Sequence, residues 1–235
     1  MGVGPSYGAE DMPKFFACPL DDRSTGSYMA CMTQQSKSDQ TRQTILSTGR
    51  RLVTTKGFGG VGLSMLLKEC GVPKGSFYYY FASKEAFGEA MLESYVAEYK
   101  ERLDALLAQP GSAADRLIAF CDAWMNQERQ AGLVSTCLVV KLGAEVADLS
   151  DAMRRVLDDG VKMLTAELAQ LLRQGAADGS LRPQADPEAA AQALYAQWLG
   201  AAILSKLSQD ETPLQRALED TKSRLIAGAE DGERQ

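Results

Sequence analysis

The fold is decided by residues 71–86, which read GVPKGSFYYYFASKEA. Within this stretch, residues 71–75, with Pro73 between two glycines, predict a tight turn, and residues 76–81 predict a short helix. Upstream, residues 63–70 predict another short helix that ends at Gly71. Two short helices joined by a glycine-containing turn are typical of a DNA-binding helix-turn-helix. An αα-hairpin within a bundle is the alternative.

The composition of the second short helix favours the DNA-binding helix-turn-helix over the αα-hairpin. It contains five consecutive aromatic residues, and a helix of about one and a half turns cannot bury five rings. Phe77 and Phe81 are spaced i, i+4 and can face a core, so the three tyrosines between them project outward or along the rim. Exposed tyrosines beside Lys74 and Lys84 suit contacts with phosphates and base edges.

Outward from this stretch, apolar residues recur at three- and four-residue spacings from residue 38 onward, and no segment alternates as a strand would. The sequence therefore predicts an all-α protein, with a three-helix helix-turn-helix head at 38–82 and a larger helical bundle at 83–235. Ser83 is the predicted N-cap of a long helix that reaches Leu107. Further helices are predicted over 112–130, 133–147, 150–177, 186–208 and 212–228.

The first 37 residues differ from the rest in composition. They are rich in Gly, Pro, Ser, Thr and Gln and have no helical period, which predicts disorder. Met32 directly precedes the first periodic segment, so our hypothesis is that translation starts there, and the intact mass of the natively expressed protein tests it. No apolar run reaches the roughly 18–20 residues of a membrane span, and no signal peptide is evident. These features predict a cytoplasmic protein with no membrane partner.

Charge is distributed unevenly along the chain. The 235 residues carry a net charge of −6, which by itself points away from nucleic acid. Residues 32–84, however, hold eight Lys and Arg against two Asp and Glu, a net charge of +6, and the remainder carries −12. Such an asymmetry indicates a polyanion-binding end.

Several chemistries are excluded or disfavoured by composition. The chain has no histidine, which excludes a Ser-His-Asp hydrolase, a His-ligated metal site and a histidine pH switch. Its five cysteines are scattered with no CxxC pair, which fits a reducing cytoplasm rather than a disulfide framework or a zinc site. No glycine-rich phosphate loop or nucleophile constellation is present, so neither an enzyme nor a cofactor is predicted. The carboxylates of Glu145, Asp148 and Asp151 are interpreted as a solvated helix end.

Gly57-Phe58, residues 71–81 and residues 83–86 together resemble the N-terminal signature of TetR-type transcriptional regulators. The resemblance implies a homodimer that binds palindromic operator DNA, with one helix-turn-helix for each half-site. It also implies a signal-sensing and dimerisation domain beyond residue 83, a dimer face on the last two long helices, and action as a repressor. By resemblance, Lys74, Gly75, Ser76 and Tyr79 contact bases or adjacent backbone, and Tyr78, Tyr80 and Lys84 contact phosphates.

Cys137 is the candidate sensor residue. Lys141 lies at i+4 on the same helical face, and a neighbouring ammonium favours the reactive thiolate. The alternative is that Cys137 is a small buried apolar residue, as most free cysteines are. Residues 134–149 and 194–201, with Lys206, resemble the N-ethylmaleimide reductase repressor branch of the TetR family. That resemblance implies induction by a small reactive oxidant or electrophile, with Cys137 at the sensing position and Lys206 as a lysine able to pair with it.

Two further points bear on the sensor. The branch has a cysteine where this chain has Ala147, which argues against a disulfide switch between neighbouring cysteines. A non-covalent small apolar ligand is the alternative inducer, bound in a pocket that the larger apolar side chains of the bundle could line as readily as they could form an ordinary core. Those side chains are Trp124, Met125, Met153, Met163, Tyr195 and Trp198. Cys70 and Cys121 are predicted to lie in the core.

Overall fold

The computed structural model describes residues 37–125 and 137–228. The predicted disordered N-terminal segment, including Cys18 and Cys31, lies outside these residues except for Lys37. Nine helices are present in the described ranges, and the only β pairing within them is one isolated bridge between Leu181 and Ile226. The all-α prediction is confirmed. The helices are α1 (Lys37–Lys56), α2 (Leu63–Cys70), α3 (Lys74–Tyr80), α4 (Lys84–Leu107), α5 (Ala113–Met125), α6 (Leu138–Leu149), α7 (Asp151–Asp178), α8 (Pro187–Ser208) and α9 (Thr212–Leu225).

Helices α1 to α3 pack around a small core that includes Ile45, Leu66 and Phe77. Helix α2 ends as predicted, because Gly71 adopts the left-handed conformation (φ 67°) and its N–H bonds the carbonyl of Leu67. This turn redirects the chain into α3. The geometry is that of a helix-turn-helix with α3 as its second helix.

Helix α4 joins the first three helices to the rest of the chain. Ser83 caps it as predicted, and its hydroxyl accepts a hydrogen bond from Ala86 N at 3.0 Å. Helix α1 crosses α4 closely at Gly49, where a Cβ would lie 2.2 Å from Phe87 Cζ. The orientation of α1 is therefore tied to α4 by direct packing.

Helices α4 to α9 form the larger bundle. Helix α7 packs against α4, α6 and α8, and α8 packs against α9 around buried residues such as Leu168 and Trp198. The predicted helix at 133–147 is described as α6 from Leu138 to Leu149, with Cys137 at its N-cap position. Ser150 ends α6 and caps α7, accepting a hydrogen bond from Met153 N at 3.3 Å. Among the helices of residues 37–125 and 137–228, none combines the length and apolar character needed to cross a bilayer.

Candidate DNA interface and sensor site

The outer face of α3 presents most of the residues predicted to contact DNA. Tyr78 is 49% exposed and Tyr79 is 77% exposed, while Lys74 and Gly75 are exposed and Ser76 is half-buried. A Cβ at Gly75 would meet nothing within 4 Å, so packing does not require glycine there. An absent side chain on an open face leaves room for a groove edge to approach the backbone.

Of the three tyrosines expected to project outward or along the rim, Tyr80 is the one that is half-buried. Its ring packs against the core and is half-buried, and its hydroxyl lies 3.1 Å from Ser38 Oγ in a hydrogen bond to the start of α1. The reason is helical geometry, because the residue at i+3 from Phe77 shares part of the buried face.

Lys84 occupies the first position of α4, but its ammonium already has protein partners. Nζ donates to the carbonyl oxygen of Phe58 at 2.8 Å and lies 4.5 Å from the centroid of the Phe58 ring. The pKa of Lys84 is lowered by burial, and the nearby charge of Glu145 offsets only part of that effect. A phosphate at this position would have to share the ammonium with Phe58.

Glu145 is not part of a solvated helix end, and that interpretation is wrong. Its two carboxylate oxygens accept hydrogen bonds from backbone N–H groups of the α1–α2 turn, Oε2 from Phe58 at 3.0 Å and Oε1 from Gly59 at 2.6 Å. These contacts span 86 to 87 residues of sequence, so no local pattern could show them. Asp151 does lie at an exposed helix start, where it pairs with Arg154 and Arg155.

Cys137 is buried at the N-cap position of α6, with 1% of its surface exposed. Burial raises the pKa of the thiol, against the opposing effects of the Val140 N–H, the Tyr95 hydroxyl and the Val139 N–H. The expectation that a neighbouring lysine holds this thiol as a thiolate is wrong for this conformation. The groups that favour the thiolate are the first backbone N–H groups of the helix and one tyrosine.

Lys141 and Lys206 lie next to each other, one on α6 and one on α8. Partial burial, a hydrogen bond to Lys141 and the charge of Lys141 together lower the pKa of Lys206 to about 8. A lysine with such a pKa has a substantial neutral fraction near physiological pH, and a neutral amine is a nucleophile. Lys141 therefore acts on Lys206 rather than on Cys137.

The other two described cysteines have no comparable setting. Burial raises the pKa of Cys121 to about 12, so its thiol is fully protonated at neutral pH. Cys70, half-buried at the end of α2, also has a pKa raised by burial. Neither lies at the first turn of a helix.

A cleft with about 290 Å³ of empty volume, part of it open to solvent, lies between α4, α6, α7 and α8. Of the six residues predicted for an apolar pocket, only Met163 and Tyr195 line it. Trp124 and Trp198 are instead fully buried and in contact with each other at 6.1 Å between ring centroids. Tyr95 and Tyr99 of α4 also line the cleft, and Tyr95 interacts with Cys137 as well.

Comparisons with known proteins agree with this geometry. Residues 45–91 match the model for bacterial regulatory proteins of the tetR family, and residues 113–221 match the tetracyclin repressor-like C-terminal domain. The chain is 46% identical over 199 residues to the HTH-type transcriptional repressor NemR of Escherichia coli, covering 84% of this chain and 100% of the relative.

The chain belongs to the TetR family of transcriptional regulators. It is also 36% identical to the transcriptional regulator AcuR of Cereibacter sphaeroides, over 73% of this chain and 79% of that one. The crystal structure of reduced E. coli NemR superposes with a TM-score of 0.76 at 46% identity, covering 81% of this chain and 99% of that one. TetR-family proteins are DNA-binding regulators and not enzymes, and this chain is a TetR-type repressor close to NemR.

Sequence reasoning on this TetR-family chain missed three functional candidates. Tyr95 contacts Cys137, and Glu145 contacts the α1–α2 turn that precedes the helix-turn-helix; both contacts are long-range in sequence. Tyr99 lies beside Tyr95, at 6.0 Å between ring centroids, and its buried hydroxyl has no hydrogen-bond partner among the described residues. Their i, i+4 spacing on α4 shows that Tyr95 and Tyr99 share a face, but a pair of tyrosines at that spacing is more often ordinary core.

Proposed function

We propose that this TetR-type repressor is released from its operator when an oxidant or electrophile reacts with Cys137. The observation that carries the proposal is the position of that thiol, at the N-terminus of α6 and hydrogen-bonded to Tyr95, with Lys206 on the neighbouring helix. A helix N-terminus favours the thiolate once the thiol is exposed by local opening. The similarity to NemR supports the same reading.

With hypochlorous acid as the oxidant, the chemistry balances in two steps. The Cys137 thiolate attacks chlorine, so that an S–Cl bond forms and hydroxide leaves; sulfur loses two electrons and chlorine gains them. The neutral amine of Lys206 then attacks sulfur, forming an S–N bond and releasing chloride and a proton. A quinone or an enal would instead add to the thiolate through carbon. Either product enlarges a side chain that is buried at the start of α6 and displaces the helix.

The DNA contacts belong to the same proposal. Lys74, Gly75, Ser76 and Tyr79 read base edges or adjacent backbone, and Tyr78, Tyr80 and Lys84 contact phosphates. The exposure of α3 and the net charge of +6 over residues 32–84 support a polyanion-binding surface. Two copies of the chain would present two α3 helices to the half-sites of a palindromic operator.

The test is operator binding before and after oxidation. Fluorescence anisotropy with the intergenic DNA upstream of the gene compares the wild type with Cys137→Ser, Lys206→Arg and the matched control Cys121→Ser. We expect the wild type and Cys121→Ser to release DNA on treatment with hypochlorous acid, and Cys137→Ser to stay bound. Lys206→Arg should release DNA without forming the S–N bond, which peptide mass spectrometry detects. Normal release by Cys137→Ser would remove Cys137 as the sensor.

A non-covalent inducer is the second candidate, and one observation favours it. Tyr99 lines the cleft between α4, α6, α7 and α8, and its buried hydroxyl has no hydrogen-bond partner in residues 37–125 and 137–228. A ligand with a hydrogen-bond acceptor would satisfy that donor. Induction that survives Cys137→Ser but is lost in Tyr99→Phe would favour this alternative.

A further inference from the structure

The α1–α2 turn is held by contacts from two helices of the larger bundle. Glu145 on α6 binds the N–H groups of Phe58 and Gly59, and Lys84 on α4 binds the Phe58 carbonyl. The Phe58 ring is 6% exposed and lies beneath the Lys84 ammonium. We call this set of contacts, Glu145 and Lys84 around Phe58 and Gly59, the turn clasp.

Glycines leave the space in which the turn clasp forms. At Gly57, where φ is +75°, a Cβ would lie 2.9 Å from Glu145 Oε2. At Gly88 on α4, a Cβ would lie 2.7 Å from the Phe58 ring and 2.3 Å from Met153 Sδ on α7. The turn therefore contacts α4 and α6 directly, with α7 immediately behind it.

The turn clasp and the proposed sensor lie on the same rigid element. Cys137 precedes the first residue of α6 and Glu145 lies eight residues later, about 12 Å along the helix axis at 1.5 Å per residue. A 12-residue helix moves as a unit, so displacement of its first turn is carried to Glu145. At the far end, Ser150 Oγ hydrogen-bonds Glu85 Oε1 on α4 at 2.5 Å.

We propose that Glu145 is a positioning residue through which α6 sets the orientation of the helix-turn-helix. In the reduced protein, its carboxylate holds the α1–α2 turn, and with it α2 and α3, in the arrangement that fits the operator. Modification of Cys137 shifts α6, the two N–H···O bonds to Phe58 and Gly59 break, and the helix-turn-helix is no longer held. The step in which modified Cys137 shifts α6 rests on the proposed function. The role of Glu145 in the reduced protein does not, and it is tested separately.

The test compares Glu145→Gln with Asp148→Asn. Glu145→Gln keeps the size of the side chain but loses the charge and one acceptor, and Asp148 is an exposed carboxylate on the same helix. For each, the Kd for the upstream intergenic DNA is measured with reduced protein and with protein treated with hypochlorous acid. Mass spectrometry confirms equal modification of Cys137, and circular dichroism confirms folding.

We expect Glu145→Gln to raise the Kd of the reduced form roughly tenfold, the effect of losing a charge-assisted hydrogen bond. The Kd of the modified form should match that of modified wild type, because the contact is already broken there. Asp148→Asn should match wild type in both forms. A purely structural role would instead weaken both forms equally and leave their ratio unchanged, which would overturn the proposal.

Two other outcomes separate this inference from the proposed function. A wild type that stays on DNA after modification would remove the sensor function, and the reduced-form Kd of Glu145→Gln would still decide whether Glu145 positions the turn. A Glu145→Gln variant with wild-type Kd in the reduced form would overturn the positioning role. Gly57→Ala, which places a Cβ against Glu145 Oε2, is the second variant and should reproduce the weaker reduced-form binding.

Discussion

At the scale of single residues, the reactivity of Cys137 is set by opposing effects on one thiol. Burial raises its pKa, while two backbone N–H groups and the Tyr95 hydroxyl lower it. The sequence predicted a cysteine with a lysine one turn later, and that spacing is real. The residue that bonds the thiol lies on another helix, however, which no spacing along α6 reveals.

Tyr95→Phe tests this balance. Removing the hydroxyl removes a hydrogen bond that favours the thiolate, so the pKa of Cys137 should rise and its reaction with N-ethylmaleimide should slow. One hydrogen bond of about 1 kcal/mol corresponds to roughly a fivefold change in rate at neutral pH. Stopped-flow alkylation across pH should show the rate profile displaced to higher pH.

Tyr99→Phe is the matched control for that measurement. It removes a neighbouring hydroxyl on the same helix face that has no hydrogen-bond partner in the described residues. Its alkylation profile should remain at the wild-type pH. Equal displacement in both variants would show that the Tyr95 hydrogen bond does not control the thiol.

At the scale of helices, the sequence predicted best those helix ends that a single local residue determines. Helix α2 has the predicted bounds because its end is coded by Gly71, and α4 starts where Ser83 caps it. The end of α6 was less visible, because Ser150 serves both as its C-cap and as the N-cap of α7. The tertiary role of Glu145 was missed for a related reason, since its partners are backbone groups with no sequence signature.

Gly88→Ala tests the closest approach between helices at the turn clasp. The added methyl group would lie 2.7 Å from the Phe58 ring and 2.3 Å from Met153 Sδ, so these side chains must move. Overpacking of this kind lowers the free energy of unfolding by about 1–3 kcal/mol. Urea denaturation followed by circular dichroism measures the change.

Gly143→Ala supplies the comparison within α6. A Cβ there meets only Val139 Cγ1 at 3.8 Å, an ordinary contact. Alanine is favoured over glycine in a helix by about 1 kcal/mol, so this variant should be slightly more stable than wild type. A Gly88→Ala variant as stable as Gly143→Ala would mean that the junction at Phe58 adapts without cost.

At the scale of the whole molecule, α8 carries apolar side chains that the single chain does not cover. Ile203, Leu204 and Leu207 are 44%, 58% and 77% exposed on this helix. Exposed apolar residues grouped on one helix indicate an interaction surface. Together with the TetR-family fold, they support the proposed homodimer through α8 and α9.

Leu204→Glu tests that assembly. A carboxylate placed in an apolar interface must be desolvated without a partner, so the variant should become monomeric. Its DNA affinity should fall by at least about a hundredfold, because two half-sites then bind independently. Analytical ultracentrifugation gives the mass, and Gln170→Glu, which adds a carboxylate at an exposed polar position on α7, is the control.

The burial of Cys137 also governs how fast the proposed sensor can respond. With 1% of its surface exposed, the thiol reacts only in molecules that have opened locally. At low oxidant concentration the rate rises with dose, but at high concentration it levels off at the rate of opening. A pulse shorter than the opening time leaves most repressors on their operators. The fraction of repressor released therefore depends on how long the oxidant is present and not only on its peak concentration.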